Sequence, residues 1–361
     1  MKIYPFLYLL PWIMIYQNLA ATEMKERPDP KTISITTKQP EENKKYPIAI
    51  IGAGAAGTMA VNRAVLNNDE VLLFTGAKEK QRGSRGYWVR KVDNIPGFAK
   101  YERTILEVRN EVLEELAQSP LNHNLFVIED SINTIEKEDE FFKLIDGLGR
   151  IYYAKYVVLA TGIMDVQPEI QGSIRPILKY ANGQTVAYCA LCDGHRSFGK
   201  KTVVIGYSDT AAETALLLSD KYHLTNLTIL TNGRTNEFHP DLLKKIKDQN
   251  IRILESPIQE ILGDKDLKQL SGFKLENEEL AEAEIAFISL GLRPNNQLAL
   301  QLGAKVTASG LVITNSSSES SVPNLFVIGD LQANTLKQIY TAWQQAVDSL
   351  LLINCRIIGC E

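Results

Sequence analysis

Four cysteines stand in the 361 residues, as two close pairs, Cys189/Cys192 and Cys355/Cys360. The first pair lies in YCALCDGH, Tyr188 to His195. Three chemistries use two cysteines at that spacing: a zinc half-site, a thioredoxin-style active site, and a disulfide wired to another redox group. Zinc needs two further ligands, but Cys355 and Cys360 have unsuitable spacing, and His123, His195, His223 and His239 form no paired cluster. No metal site is therefore expected. Four cysteines in a chain of this size are also too few for a secreted-type disulfide framework. At the start of a helix a CxxC thiolate is favoured by backbone N–H groups, and Asp193 beside Cys192 supplies a carboxylate able to carry a proton. A cycling disulfide remains, with Cys189, Cys192 and Asp193 as catalytic candidates. His195 is either a second acid/base or a solvated turn histidine.

A thioredoxin-style site would lie near the start of a single small domain, whereas here the flanking sequence repeats one nucleotide-binding grammar twice, with the pair between the two units and immediately before the second. Pro47 to Ile51 (PIAII) is a short apolar strand, followed by IGAGAAG, a helix over residues 58–67 and a strand, VLLFT, over 71–75. Gly52 permits the tight turn, Gly54 lets a pyrophosphate approach the backbone, and Gly57 lets helix and strand pack closely. The pattern follows a strand and opens a helix, which is its confirming context. Thr75-Gly76 stands where an acidic residue would hold a ribose hydroxyl. The second unit is TVVI (202–205), the turn IGYSDTAAETA, a helix over 210–218 and the strand NLTIL (226–230). Gly206 matches the first glycine, but Ser208 and Ala211 replace the others, so a side chain obstructs the phosphate approach. The candidates there are Gly206, Ser208, Asp209, Thr210, Ala211 and, beyond the next strand, Arg234. Further strands are expected at 126–128, 141–145, 151–159, 251–254, 272–275, 284–290 and 325–328, with an amphipathic helix over 337–353. The fold class is α/β, with two Rossmann-like nucleotide-binding domains.

The length and the 45% apolar, 23% charged composition suit a soluble globular protein of two domains. A net charge of −4 and a pI near 5.8 exclude nucleic acid as a partner class. Behind Lys2, Ile3 to Tyr16 is an apolar run too short and Pro-interrupted for a comfortable membrane span, but about as long as a signal-peptide core. Residues 1–22 are therefore expected to be a signal peptide or anchor, tethering the protein through 3–21, against a core strand or a true start at Met24. No twin arginine precedes the run. Localisation follows: exported or membrane-tethered if that segment is a signal, cytoplasmic otherwise. Residues 23–45 are polar and charged and read as a linker. The tail, 355–361, is expected to carry free thiols at Cys355 and Cys360.

YCALCDG about ten residues ahead of a Gly-rich turn resembles the redox signature of the low-molecular-weight thioredoxin reductase family. Further anchors fall in the same order: IGAGAAG, NIPGF (94–98), ATG (160–162), GLRPN (291–295), GD (329–330) and Lys337-Gln338-Ile339. The likeness runs from about Tyr46 to Ile353. It implies three-layer ββα domains, an FAD domain split over 46–166 and 292–354, and an NAD(P)-binding-like domain, 167–291, inserted between and carrying the cysteines. It also implies that Gly52, Gly54 and Gly57 cradle the FAD pyrophosphate and that Asn94 contacts the isoalloxazine. Ala160, Thr161, Gly162 and Gly329 would line the site, and Asp330 would bind the ribityl-pyrophosphate region. Lys337, Gln338 and Ile339 would lie at the pyrimidine edge near a helix N-terminus, which suits a reduced anionic flavin. Cys192 would face the flavin, Cys189 would attack the partner's disulfide, and Asp193 would be the acid/base. One domain would rotate against the other between half-reactions. The implied partners are a thioredoxin-like protein or a small dithiol/disulfide, NADPH or NADH, and a second copy in a homodimer.

The sequence departs from the resemblance after the second strand of the inserted domain. There the family carries a run like HRRxxxR for the 2′-phosphate of NADPH, whereas this chain has Thr231, Asn232, Gly233 and Arg234. NADPH, NADH and no pyridine nucleotide stay open. Two further readings follow: a flavin-dependent dithiol oxidase passing electrons to oxygen, as in the gliotoxin-type relatives, or a membrane-tethered flavin-binding redox sensor with little turnover.

Overall fold

A computed structural model describes residues 32, 35–89, 92–98, 103–182, 185–264, 266 and 268–360. Contacts group Ile35–Glu361 as one compact unit apart from Met1–Ser34, and every element below belongs to the former. The signal peptide or tether expected over residues 1–22 lies outside the described residues. Among the described residues no helix is long and apolar enough to cross a membrane.

The apolar run KYPIAII forms β1 (Lys45–Ile51), whose last four residues are buried. It leads through the first Gly-rich turn into α1 (Ala55–Leu66) and β2 (Val71–Phe74). α2 (Ile105–Gln118) starts at a capping box, the Thr104 side chain accepting from Glu107 N while the Glu107 carboxylate accepts from Thr104 N. β3 (Leu125–Ile128) then closes the parallel order β3-β2-β1. β4 (Ile132–Glu138), β5 (Phe141–Asp146) and β6 (Ile151–Leu159) form an antiparallel meander that joins this sheet through β6, which lies parallel to β1. Strands buried on both faces read as uninterrupted apolar runs, which is why β1, β2 and the end of β6 were visible in sequence.

From β6 the chain passes through β7 (Ile163–Asp165) into the inserted domain. There β8 (Val186–Ala187), the single turn α3 (Ala190–Asp193), β9 (Thr202–Ile205), α4 (Asp209–Tyr222), β10 (Leu227–Leu230), α5 (Pro240–Asp248) and β11 (Arg252–Leu254) follow in order. A second meander, β12 (Ile258–Asp264), β13 (Gln269–Leu275) and β14 (Leu280–Glu282), precedes β15 (Ile285–Ile288). The parallel sheet here has the order β11-β10-β9-β15-β8. β16 (Leu292–Pro294) brings the chain back antiparallel to β7, so two three-residue strands carry the crossing between the halves. β17 (Leu325–Val327) then joins the first sheet beside β6, and α6 (Ile339–Ile358) packs on α1. Each half thus pairs a parallel sheet with a three-stranded meander and helices, the three-layer α/β architecture expected. Its core is built from side chains such as Phe74, Phe142 and Tyr152 in the first half and Ile205, Phe273 and Leu275 in the second.

Three local expectations change. α6 runs to Ile358, past the expected end at 353, and stops where Gly359 takes φ 72° and Cys360 N donates to Cys355 O at 3.0 Å. That cap brings the last cysteines together, and they form a disulfide rather than the free thiols expected. Part of the polar stretch assigned to the linker is also packed: Thr37 Oγ1 accepts from Val127 N of the edge strand β3 at 2.9 Å, and Lys44 pairs with Glu70 at 2.6 Å.

Candidate active site

The first turn leaves one open side. A Cβ on Gly52 would lie 2.4 Å from Ala160 O, and one on Gly57 would lie 1.8 Å from Gly52 O, so both positions hold backbone against backbone. A Cβ on Gly54 would meet nothing within 4 Å. Gly54 faces a cavity of about 810 Å³ whose wall also includes Gly52, Ala160, Thr161, Gly162, Gly329, Asp330, Lys337, Gln338 and Ile339. The two loops carrying most of these residues are tied down. Thr161 Oγ1 donates to Asn295 O at 2.7 Å, Asn295 N donates to Gly162 O at 3.0 Å, and Gly329 N donates to Gln345 Oε1 at 2.7 Å. A volume at the upper end of small-molecule sites, with a glycine missing its side chain where phosphate would approach, fits a dinucleotide cofactor.

Charge inside the cavity is arranged around Arg85. Its Nε and Nη2 bond both oxygens of Asp165 at 2.7 and 2.5 Å, and its Nη1 reaches Asp330 Oδ2 at 3.3 Å. Burial pushes the Asp330 carboxyl up from its ordinary value, with Arg85 and Lys337 pulling against it. Lys337 donates to Gln332 O, and burial lowers its ammonium pKa. Arg109, buried on α2, lines the same cavity, and desolvation takes its pKa down to about 10. Arg85 and Arg109 were missed in the sequence, where an arginine carries no mark of burial.

The disulfide Cys189–Cys192 opens into this cavity. β8 delivers Cys189 to the N-cap of α3, where its Sγ accepts from Cys192 N at 3.1 Å. Gln338, the buried N-cap residue of α6, donates from Nε2 to Cys192 Sγ at 3.2 Å, and its Oε1 accepts from Asn94 Nδ2 at 2.8 Å. One amide therefore joins the cysteine pair to the other half of the molecule. Asp193 follows directly. Burial raises its carboxyl pKa, opposed chiefly by Arg196, whose Nη2 lies 3.2 Å from Asp193 Oδ1. The same guanidinium bonds Asp93 Oδ2 from Nε at 3.0 Å and from Nη2 at 2.7 Å, across to the first half. His195 is exposed, with Nε2 3.6 Å from Asp93 Oδ2, and does not line the cavity. Asp93 and Arg196 were also missed; their places beside Asn94 and within CDGHR were the only signal.

The second turn differs from the first. A Cβ on Gly206 would lie 2.3 Å from Ser289 O and 2.6 Å from the Ala211 Cβ, so close strand–helix packing is kept. Ser208 caps α4 in an extended conformation without a side-chain capping bond, and Asp209 and Thr210 are exposed. Arg234 stacks over the Tyr207 ring, 4.7 Å from its centroid. None of Gly206, Ser208, Asp209, Thr210, Ala211 or Arg234 lines the cavity that holds the disulfide.

The family model described as pyridine nucleotide-disulphide oxidoreductase matches residues 46–346. The chain belongs to that family. Within it, the chain is 28% identical to a thioredoxin reductase of Treponema pallidum over 82% of this chain and 92% of that protein. It is 27% identical to a 34.2 kDa protein in the rubredoxin operon of Clostridium pasteurianum over 88% of this chain and 99% of that one. Its fold matches the crystal structure of a thioredoxin reductase from Streptococcus pyogenes with a TM-score of 0.76 at 22% identity, covering 88% of this chain and all of the other. This member of the pyridine nucleotide-disulphide oxidoreductases is a thioredoxin reductase-like, FAD-dependent disulfide oxidoreductase, with the Cys189–Cys192 disulfide as the group that fits the chemistry. The family is one that pairs FAD with a pyridine nucleotide.

Proposed function

We propose that the protein moves electrons between FAD, held at the Gly52–Gly54–Gly57 turn, and the Cys189–Cys192 disulfide, and from there to a thioredoxin-like protein. The observation that carries this reading is that the open side of Gly54 and both cysteines line one cavity. The named relatives that are thioredoxin reductases support that choice of partner.

In this reading Gly52 and Gly54 cradle the pyrophosphate, Gly57 packs α1 against the turn, and the α1 N-terminus favours the phosphate charge. Asp330, held by Arg85, takes the ribityl region, and Ala160, Thr161, Gly162 and Gly329 shape the walls. Asn94 and Gln338 form the junction with the disulfide, flanked by Lys337 and Ile339. Bound there, FAD supplies the two-electron couple. Once the pair is reduced, the Cys189 thiolate attacks a sulfur of the partner's disulfide, forming a mixed disulfide and releasing one partner thiolate. Cys192 then attacks Cys189, which restores the internal disulfide and releases the second thiolate. Asp193, whose carboxyl is pushed up by burial, shuttles the protons these exchanges require. Rotation about the β7–β16 crossing, with release of Arg196 from Asp93, is how Cys189 would reach a protein partner.

The test uses the full chain reconstituted with FAD and reduced anaerobically by a dithiol. The proposal expects the yellow absorbance to bleach and the electrons to pass on through Cys189–Cys192 to an oxidised thioredoxin. Cys192→Ser should abolish that transfer; full disulfide turnover in the variant would sink the reading.

A further inference from the structure

In a βαβ nucleotide unit the adenosine ribose lies at the end of the second strand, where an acidic residue suits a free 2′-hydroxyl and arginines suit a 2′-phosphate. In the inserted domain that place follows β10. Thr231 is buried and donates from Oγ1 to Arg234 O. Asn232 has its side chain committed, Oδ1 accepting from Ile258 N at 2.8 Å and Nδ2 donating to Glu169 O at 2.9 Å. Gly233 has φ 82°, and a Cβ there would lie 2.9 Å from Pro257 Cγ, so no side chain fits without displacement. Arg234 is the cation at this corner, stacked on Tyr207. Two acidic residues border the same turn. Glu237 donates its N–H to Tyr207 O at 2.7 Å and is bridged to Ser208, which holds this exposed residue beside the turn. Asp209 Oδ1 accepts from His239 N at 2.6 Å on the same segment. One cation against two carboxylates repels a dianionic 2′-phosphate, while a carboxylate accepts hydrogen bonds from a ribose diol.

We propose that the inserted domain selects a dinucleotide with a free 2′-hydroxyl, NADH over NADPH, and that Glu237 is the selecting residue. The inference rests on the disulfide-reductase reading above, together with the family's pairing of FAD with a pyridine nucleotide as donor.

Binding tests it without turnover. Isothermal titration of the FAD-loaded full chain with ADP and with 2′,5′-ADP, neither of which can react, should show ADP at least tenfold tighter. NADH and NADPH should show the same order. Glu237→Gln should shrink the ratio, and Glu237→Arg should reverse it. Glu237 is exposed, so an unchanged melting temperature separates selectivity from misfolding. Equal or tighter binding of 2′,5′-ADP by the unaltered protein overturns the inference, and so does binding of neither nucleotide. Dithiol bleaching in the same samples needs no nucleotide: if bleaching proceeds while selectivity fails, only the donor inference falls, and if bleaching fails, the disulfide reading falls with it.

Discussion

Gln338 Nε2 lies 3.2 Å from Cys192 Sγ while Gln338 Oε1 accepts from Asn94 Nδ2 at 2.8 Å. The cysteine pair on the inserted domain is thus hydrogen-bonded to the cap of the last helix, which is itself oriented by a residue from the first half. Gln338→Ala removes the donor to sulfur. Dithiol-driven bleaching of the flavin should slow by roughly fivefold, the kinetic equivalent of about 1 kcal/mol for one hydrogen bond. Asn94→Ala should slow it in the same direction. Because the two side chains act in series, the double variant should lose less than the product of the single losses; strict additivity in stopped-flow rates would contradict the chain of contacts.

The pH dependence of disulfide turnover should report Asp193. Burial holds its carboxyl above the ordinary value, Arg196 pulls it down, and Asp93 pushes it up. Arg196→Gln removes the opposing cation, so the Asp193 pKa rises further and its limb in the kcat/KM profile moves to higher pH. Arg196→Lys should largely restore the position. Asp93→Asn removes a negative neighbour and leaves Arg196 to Asp193, so the limb moves to lower pH. Profiles that stay in place in both variants would show that Asp193 does not titrate in the rate-determining exchange.

Two glycines of the first turn should fail in different ways. Gly57→Ala would put Cβ 1.8 Å from Gly52 O, so α1 must move off β1. A loss of about 1–3 kcal/mol is the scale for such overpacking, visible as a lower melting temperature with or without cofactor. Gly54→Val adds atoms to open space on the cavity side. Its melting temperature without cofactor should match the parent while the flavin-to-protein absorbance ratio after gel filtration falls.

Cys355–Cys360 closes a loop at the C-terminal cap of α6. For so short a loop, denatured-state entropy limits its contribution to about 2 kcal/mol. Cys355→Ser should lower stability by no more than that and leave dithiol-driven bleaching unchanged, because α6 separates this pair from Gln338 by its full length. Loss of turnover in this variant would give the second disulfide a part in electron transfer.

The sequence by itself determined the chemistry and the scaffold class. Buried parallel strands such as β1 and β2 must be apolar runs, the tight turn after β1 needs glycine where backbone meets backbone, and a CxxC followed by Asp193 needs no tertiary context to suggest a cycling disulfide. Their order along the chain carried the resemblance that the family match then bore out. Only the tertiary structure decided what surrounds those groups. Arg85 meets Asp165 and Asp330 across separations of 80 and 245 residues, and Arg196 meets Asp93 across 103. No local pattern encodes such pairings, because an arginine reads the same whether exposed or buried. The crossing strands β7 and β16 were invisible for a related reason: three residues show no periodicity, and their pairing exists only once the inserted domain has folded and returned the chain. The Cys355–Cys360 disulfide likewise depended on where α6 ended, which the left-handed Gly359 set five residues beyond the apolar pattern.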